Sequence, residues 1–432
     1  MRVRRLPHDD DACGWSALLP PLPPPRRLTG SERVDMAVIG AGFTGLAAAR
    51  RWATLRPHAR LAVLDAQRVG GSASGRNSGF IVDLPHYLPS RGLEGNRRLL
   101  RLGRAGLEQL RALVQTHAID CDWTDGGRLH GAAADDGMRA LETFCAGADA
   151  LGEPYQRLDG AALAALTGMA YYRAGVRTPG SVLVQPAALA RGLGRSLPAN
   201  VTLYEDSPVR ALRASDGFRL ESDGGDLSAE QVVVATNGFT PAIGLLRDRI
   251  FPLMTFASLT RPLTESEAAA VGGEPVWGLV SERPMGTTLR RLRNRRLLIR
   301  NTVRYRPSLQ SDARFRQHIR AAHRRDFRAR FPMLDVEFEY TWGGIMGATF
   351  NGAQFFGELA PNLYAAAGYN GVGIAMGTTS GTLLADLALG ADSALLADMQ
   401  ALPQPDWIPP EPALGIAVRA TLAYLARQAR GE

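Results

Sequence analysis

From Val34 the apolar positions run almost unbroken through VDMAVIG. They then space out along TGLAAARRWATLRP so that alanine and leucine share one face, and close up again in RLAVLDA. Short continuous apolar runs predict strands covered on both faces, and the small-residue spacing between them predicts a helix, so this stretch reads as a βαβ unit. Further on, the pattern predicts a helix from about 94 to 118, mixed short elements over 123–130 and a helix near 138–150. A helix over 186–197 leads to the strands VTLYED, RALRAS and GFRLES, and QVVVATNG predicts a further buried strand that returns to the first sheet. Between 252 and 344, apolar strands that carry arginines, LLIRNTVRY and FEYTWGG among them, flank the basic helix SDARFRQHIRAAHRRDFRARF. The segment NLYAAAGYNGVGIAMGTTSGTLLADLALG reads as strand, glycine loop and small-residue helix, and LGIAVRATLAYLARQAR as a last helix.

The chain ahead of the first strand follows none of these periods. Pro20, Pro21 and Pro23 to Pro25 exclude regular helix or sheet, so residues 1–33 are expected to lie as an extended arm over a folded body. A length of 432 residues favours two connected domains over one core.

Composition narrows the classes. Apolar residues at 45% and charged residues at 21% are the balance of a globular protein rather than a disordered one. All 50 basic residues are arginine, which leaves no lysine amine for chemistry, and a formal charge of +8 bears on association with anionic partners rather than on fold. Cys13, Cys121 and Cys145 show no paired spacing and no neighbouring histidine cluster, so neither a metal site nor a disulfide framework is expected and a cytoplasmic setting fits. The start MRVRRLPHDDDACGW lacks an apolar run behind its basic residues, so no export signal is expected. No stretch reaches the ~20 apolar residues of a spanning helix.

Gly40, Gly42 and Gly45 form GxGxxG between the first strand and the first helix, and Asp65 closes the second strand. Gly40 permits the tight turn, Gly42 lets the backbone approach a pyrophosphate, and Gly45 lets helix and strand pack closely. The helix N-terminus, at Phe43 and Thr44, offers N–H groups to the phosphates. Asp65, followed by Ala66, is placed to accept from ribose hydroxyls. This unit binds a dinucleotide, and by itself leaves FAD and NAD both open.

Two further segments narrow that choice. DAQRVGGSASGRNSGF resembles the second FAD-contact segment of the D-amino-acid oxidase and glycine oxidase superfamily, and NLYAAAGYNGVGIAMGTTSGTLLADL resembles that superfamily's C-terminal flavin-cradling loop and helix. With VVVATNG they fall in the family's order, and the likeness is closest to its gamma-glutamylputrescine oxidase branch. The resemblance implies an α/β two-domain flavoprotein. Its Rossmann-like FAD-binding domain would be assembled from 34–95, 176–250 and 345–432, and its substrate domain, with an antiparallel sheet, from 96–175 and 251–344. It implies FAD contacts at Ser72, Ala73, Ser74, Gly75, Arg76 and Asn77, at Val209, Ala235, Thr236 and Asn237, and along Gly368, Tyr369, Asn370, Gly371, Val372 and Gly373. Arg76 fits a surface ion pair equally well. Some relatives attach FAD covalently through a late cysteine or a histidine. Here every cysteine precedes residue 146, and Gly71, Ser72 and Ala73 stand where that histidine would be, so the flavin is expected to be noncovalent.

The same resemblance implies oxidation of a C–N bond in an amine or amino-acid derivative, with hydride passing to flavin N5, the imine hydrolysing and O2 reoxidising the flavin. Relatives that hold an amino-acid carboxylate place an arginine shortly after the tryptophan-glycine strand. That position falls near Met346 here, which favours an amine or N-substituted substrate. Trp342, Tyr369, Arg304 and Tyr305 are candidate pocket walls and Arg261 a candidate anion anchor, each equally compatible with packing or surface ion pairing. No catalytic base is assigned. Without a lysine to draw in oxygen, a dehydrogenase that delivers electrons to a quinone or a protein stays open. RRLRNRR at 290–296 and HRRDFRAR at 323–330 keep a tRNA-modifying flavoprotein as a further reading, but neither interleaves stacking aromatics, which disfavours nucleic acid. The last helix, with Arg419, Arg427 and Arg430, allows at most peripheral membrane contact, its apolar face expected to dock on the FAD domain. A flavoprotein without activity is a third rival. Oligomeric state is not legible.

Overall fold

The computed structural model describes residues 1–3, 5–85 and 91–431. The stretch 86–90, which belongs to the first expected FAD-domain segment, lies outside the described residues.

Two eight-stranded sheets organise the chain. At the centre of the first, Gly30–Ile39 pairs in parallel with Leu61–Leu64 on one side and Gly225–Val234 on the other. Val201–Tyr204 and Leu363–Ala367 extend the sheet in parallel, and Phe355–Ala360 closes one edge antiparallel. The hairpin Val209–Ser215 and Gly217–Ser222 folds antiparallel onto Gly225–Val234. Met36 and Val38 pack with helix Phe43–Leu55 on one face, and Ala37 and Ile39 pack with the hairpin on the other. Both faces are therefore covered, which is why these strands are apolar without alternation.

The second sheet runs Phe338–Ala348, Phe251–Thr260, Leu297–Tyr305, Thr288–Arg291, Trp277–Ser281, Arg128–Ala132, Ala174–Thr178 and Gln156–Asp159. It is antiparallel at every pairing but one: Trp277–Ser281 lies parallel to Arg128–Ala132, and this pairing joins the two chain segments that build the sheet. Ala174–Thr178 straddles the boundary expected at 175/176, and Phe338–Ala348 carries this sheet beyond 344.

The last helix, Ala413–Gln428, departs from expectation. Leu414 and Val418 dock on Phe251, Val303 and Tyr305 of the second sheet rather than on the FAD-binding side, and the Tyr305 hydroxyl bonds to Glu411 just ahead of the helix. Its outer face leaves Ile416 and Tyr424 exposed. Among the described residues no helix is long and apolar enough to cross a membrane. The two arginine-dense segments are largely spent within the fold. Arg290, Arg291 and Arg296 are buried, Arg295 pairs with Glu265, Arg324 pairs with Glu337, and Phe327 and Phe331 point into the core.

The arm is less extended than its prolines suggest. Residues 20–25 adopt no regular structure, but Gly14–Ala17 forms a helical turn that buries Trp15 edge-on to Trp342, ring centroids 6.3 Å apart. The Trp15 indole N–H donates to the Asn77 carbonyl at 2.7 Å, which ties the arm to the segment after the predicted pyrophosphate contacts. Trp15→Ala is therefore expected to cost about 3–5 kcal/mol, read as a lower urea midpoint with an unchanged slope.

Candidate functional site

The glycine turn is built by close backbone approach. Gly40 has φ +105° and a Cβ there would stand 2.8 Å from the Ala235 carbonyl oxygen. A Cβ on Gly45 would stand 1.8 Å from the Gly40 oxygen, so only glycine lets helix Phe43–Leu55 start this close to the strand. The N-cap position is Gly42, which has no side chain to cap that helix. Asp65 ends the second strand, its two carboxylate oxygens accepting from the Ala41 N–H at 2.7 Å and the Gln67 N–H at 2.8 Å. Burial raises the Asp65 carboxyl to about 6, against those two hydrogen bonds.

Three more segments converge on the same place. Helical turn Ala73–Arg76 sets Ser74 against the glycine turn, where Ser74 Oγ accepts from the Phe43 N–H at 3.2 Å. Asn237 Oδ1 accepts from the Gly368 N–H at 3.0 Å, joining the end of the third buried strand to the C-terminal loop. In that loop the N–H groups of Gly368, Asn370 and Val372 are already engaged inside the protein, so Gly371 and Gly373 are the glycines whose backbone faces the cavity. Tyr369 donates to or accepts from Thr44 at 2.8 Å, and burial keeps its phenol protonated.

These segments line a cavity of about 440 Å³ that reaches from the glycine turn to the second sheet. Gly40, Gly42, Phe43, Thr44, Asp65 and Ala66 line it, as do Ser72, Ala73, Ser74, Arg76 and Asn77, then Val209, Ala235, Thr236 and Asn237, and finally Tyr369 and Asn370. Gly45, Gly75, Gly368 and Val372 stand behind it. Gly75 serves packing, since a Cβ there would meet the Gly70 oxygen at 2.0 Å. Arg76 is not a surface residue. It is 7% exposed, ion-paired with Asp11 of the arm, and donates from Nε to the Gly343 carbonyl at 2.7 Å.

Of the expected substrate walls only Tyr369 lines the cavity. Arg304 turns outward because the strand carries an irregularity at Thr302, with φ 60°. That inverts the alternation, so Val303 faces in and Arg304 is exposed. Tyr305 is covered by the last helix. Trp342 is wholly buried against Trp15, its indole N–H donating to the Arg76 carbonyl at 3.1 Å. Arg261 sits at the surface, held by two 2.7 Å bonds to Glu267. Sequence reasoning missed the walls that the second sheet does supply. Leu253, Thr255 and Ala257 come from one strand, Arg300 from its neighbour, and Ser281 to Gly286 from a connecting loop. A charge inside the apolar run LLIRNTV was the available signal for Arg300. Glu282 in that loop is 3% exposed and bonds through Oε2 to His130 Nδ1 at 2.7 Å, with Arg128 donating to the other ring nitrogen at 3.0 Å. Since Nε2 accepts, the ring proton lies on Nδ1 and points at Glu282.

The profile of the FAD-dependent oxidoreductase family, DAO, matches residues 35–387. The chain belongs to this family. FAD is its cofactor. Curated relatives include a probable oxidoreductase OrdL of Rhizobium meliloti (strain 1021), 28% identical over 394 residues, which is 88% of this chain and 89% of that protein. The gamma-glutamylputrescine oxidoreductase of Escherichia coli (strain K12) is 27% identical over 379 residues, 84% and 85% of the two chains. Among solved structures, glycine oxidase from Geobacillus kaustophilus superposes with a TM-score of 0.70 at 22% identity, covering 84% of this chain and 96% of that one, a likeness of fold. The residues present suit the family's cofactor. A Cβ on Gly42 would stand 2.7 Å from Ser74 Oγ, so the turn leaves room for a ligand only with glycine there or with Ser74 turned aside, and Asp65 provides a buried acceptor beside it.

The glycine contacts make one outcome sharp. Gly45→Ala is expected to cost on the order of 3 kcal/mol, because the Gly40 carbonyl belongs to the rigid strand end and cannot withdraw. Urea unfolding checks this, and a midpoint within error of the parent protein would refute it.

Proposed function

We propose that this chain oxidises a C–N bond in an amine or amino-acid derivative with noncovalently held FAD, and that O2 takes up the electrons. The observation that carries the reading is the single cavity shared by the glycine turn and the second sheet, which offers a dinucleotide site and an enclosed reaction space side by side. The family and the relatives named for glycine and gamma-glutamylputrescine support it. In this reading the segments 34–95, 176–250 and 345–432 hold FAD, and 96–175 and 251–344 form the substrate side, apart from the strand ends and the last helix noted above.

Each part of the chain then has a task. Gly40, Gly42 and the Phe43–Thr44 helix start take the pyrophosphate, and Asp65 accepts from the adenosine ribose. Ser72 to Asn77, Asn237 and the Gly371–Gly373 backbone position the ring system, where fixed N–H dipoles favour negative charge. FAD supplies the two-electron acceptor for the C–H bond beside nitrogen, and water hydrolyses the imine that results. Leu253, Ala257, Val303, Ile345 and Met346 make one part of the wall apolar, which favours the neutral amine that must react, while Arg300 and Glu282 bring charge to the same cavity. By the resemblance, the position at which some relatives grip an α-carboxylate with an arginine falls near Met346, so the reading favours an amine or N-substituted substrate.

The test is anaerobic addition of amines, polyamine conjugates and amino acids to the yellow protein. Bleaching by an amine, with colour restored by air, is expected. Bleaching that a quinone but not air reverses would make the enzyme a dehydrogenase, and no bleaching by any member of the panel would overturn the reading. Denaturation is expected to release all the flavin into the supernatant. The Asp65 carboxylate should also make FAD affinity fall as pH drops through about 6, because the acceptor form must first lose its proton. Asp65→Asn should flatten that dependence in a titration of apoprotein with FAD.

A further inference from the structure

We propose that the N-terminal arm is itself part of the cofactor site, a strap across one wall of the cavity that retards FAD release. The proposal rests on reading that cavity as the FAD site. Val3, Arg5, Leu6 and Pro7 line it together with Asp65, Ala66 and Val209.

The strap is held on both sides. At its start the chain adds onto strand Val209–Ser215: Arg2 bridges Ala211, the Val3 N–H donates to the Arg210 carbonyl at 2.8 Å, and the Leu212 N–H donates to the Met1 carbonyl at 3.1 Å. Beyond the cavity-lining residues three successive aspartates tie it down. Gln67 donates to Asp9 at 3.2 Å, Arg316 donates to Asp10 at 2.5 Å, and Asp11 pairs with Arg76 while accepting the Gly343 N–H at 3.1 Å. Gln67 lies next to the first sheet and Arg316 and Gly343 on the second-sheet side, so the arm laces the two halves together along the cavity wall. Arg5 adds a 2.5 Å bond to the Pro307 carbonyl.

The two anchors differ in strength. The Asp11 and Arg76 side chains are each 5% exposed, and separating them would leave charge buried without a partner, which is expensive. The first residues are held by backbone hydrogen bonds and, among the described residues, by no buried ion pair, the kind of contact that opens by local unfolding. Release of FAD past this wall therefore requires the pairing of Met1, Arg2 and Val3 with strand Val209–Ser215 to open while the aspartate latch stays closed.

Flavin fluorescence after dilution of the holoprotein reads the release rate. Removing residues 2–7 is expected to speed release at least tenfold with the absorbance spectrum of bound flavin retained. Arg2→Cys combined with Ala211→Cys joins two antiparallel bridge partners, whose Cα spacing suits a disulfide. The three native cysteines are buried away from it. The oxidised staple should release FAD at least tenfold more slowly than the same protein after reduction. If the truncated chain fails to fold, the staple decides alone, and a redox-independent release rate in the stapled protein overturns the proposal. A parent protein that binds no FAD, or Asp65→Ala binding it as tightly as the parent, would instead overturn the reading of the cavity.

Discussion

Backbone packed directly on backbone is the constraint from which the rest of this fold follows. Helix Phe43–Leu55 can lie on its strand only because Gly45 meets the Gly40 carbonyl without a side chain, and the helix Ala375–Ala388 can lie on that first helix only because a Cβ at Gly381 would meet the Thr44 carbonyl at 2.0 Å. These two contacts bring segments more than three hundred residues apart to one N-terminal helix end. They leave Thr44, Tyr369 and the glycine loop in mutual reach, and so build one end of the cavity out of pieces that are remote in the chain.

A chain whose only cations besides histidine and its amino terminus are arginines uses many of them as internal struts. Arg290 donates from Nη1 to the carbonyls of Ser78, Gly79 and Val184 and lies over the rings of Trp15 and Phe80, so one guanidinium bridges two backbone segments behind the cavity. Arg296 does the same for Thr260 and Glu339, and Arg76 for Asp11 and Gly343. This is why the arginine-dense segment at 290–296 presents far less charge to solvent than its composition suggests.

The FAD-dependent oxidoreductase family accounts for the first sheet and its glycines. Away from that sheet the cavity is bounded by Met346 near the end of the tryptophan strand, by Glu282, which is joined to the buried His130 and Arg128, and by residues of the arm.

The sequence by itself determined the βαβ unit with its glycine turn and the family, because those depend on local signals: glycines at a fixed spacing, an acidic strand end, and apolar runs whose period names the element. The segments that meet at the glycine turn were legible for that reason, Asp65 and Ser74 among them. The substrate walls were not. Whether Val303 or Arg304 faces inward depends on one irregular residue at Thr302, and Trp342 was claimed by Trp15 of an arm with no periodicity to read. The docking of the last helix and the burial of Arg76 depend on partners far away in the chain. Only tertiary structure decided them, since a side chain's direction in a sheet, and the partner a charge finds, are properties of the packed whole rather than of neighbouring residues.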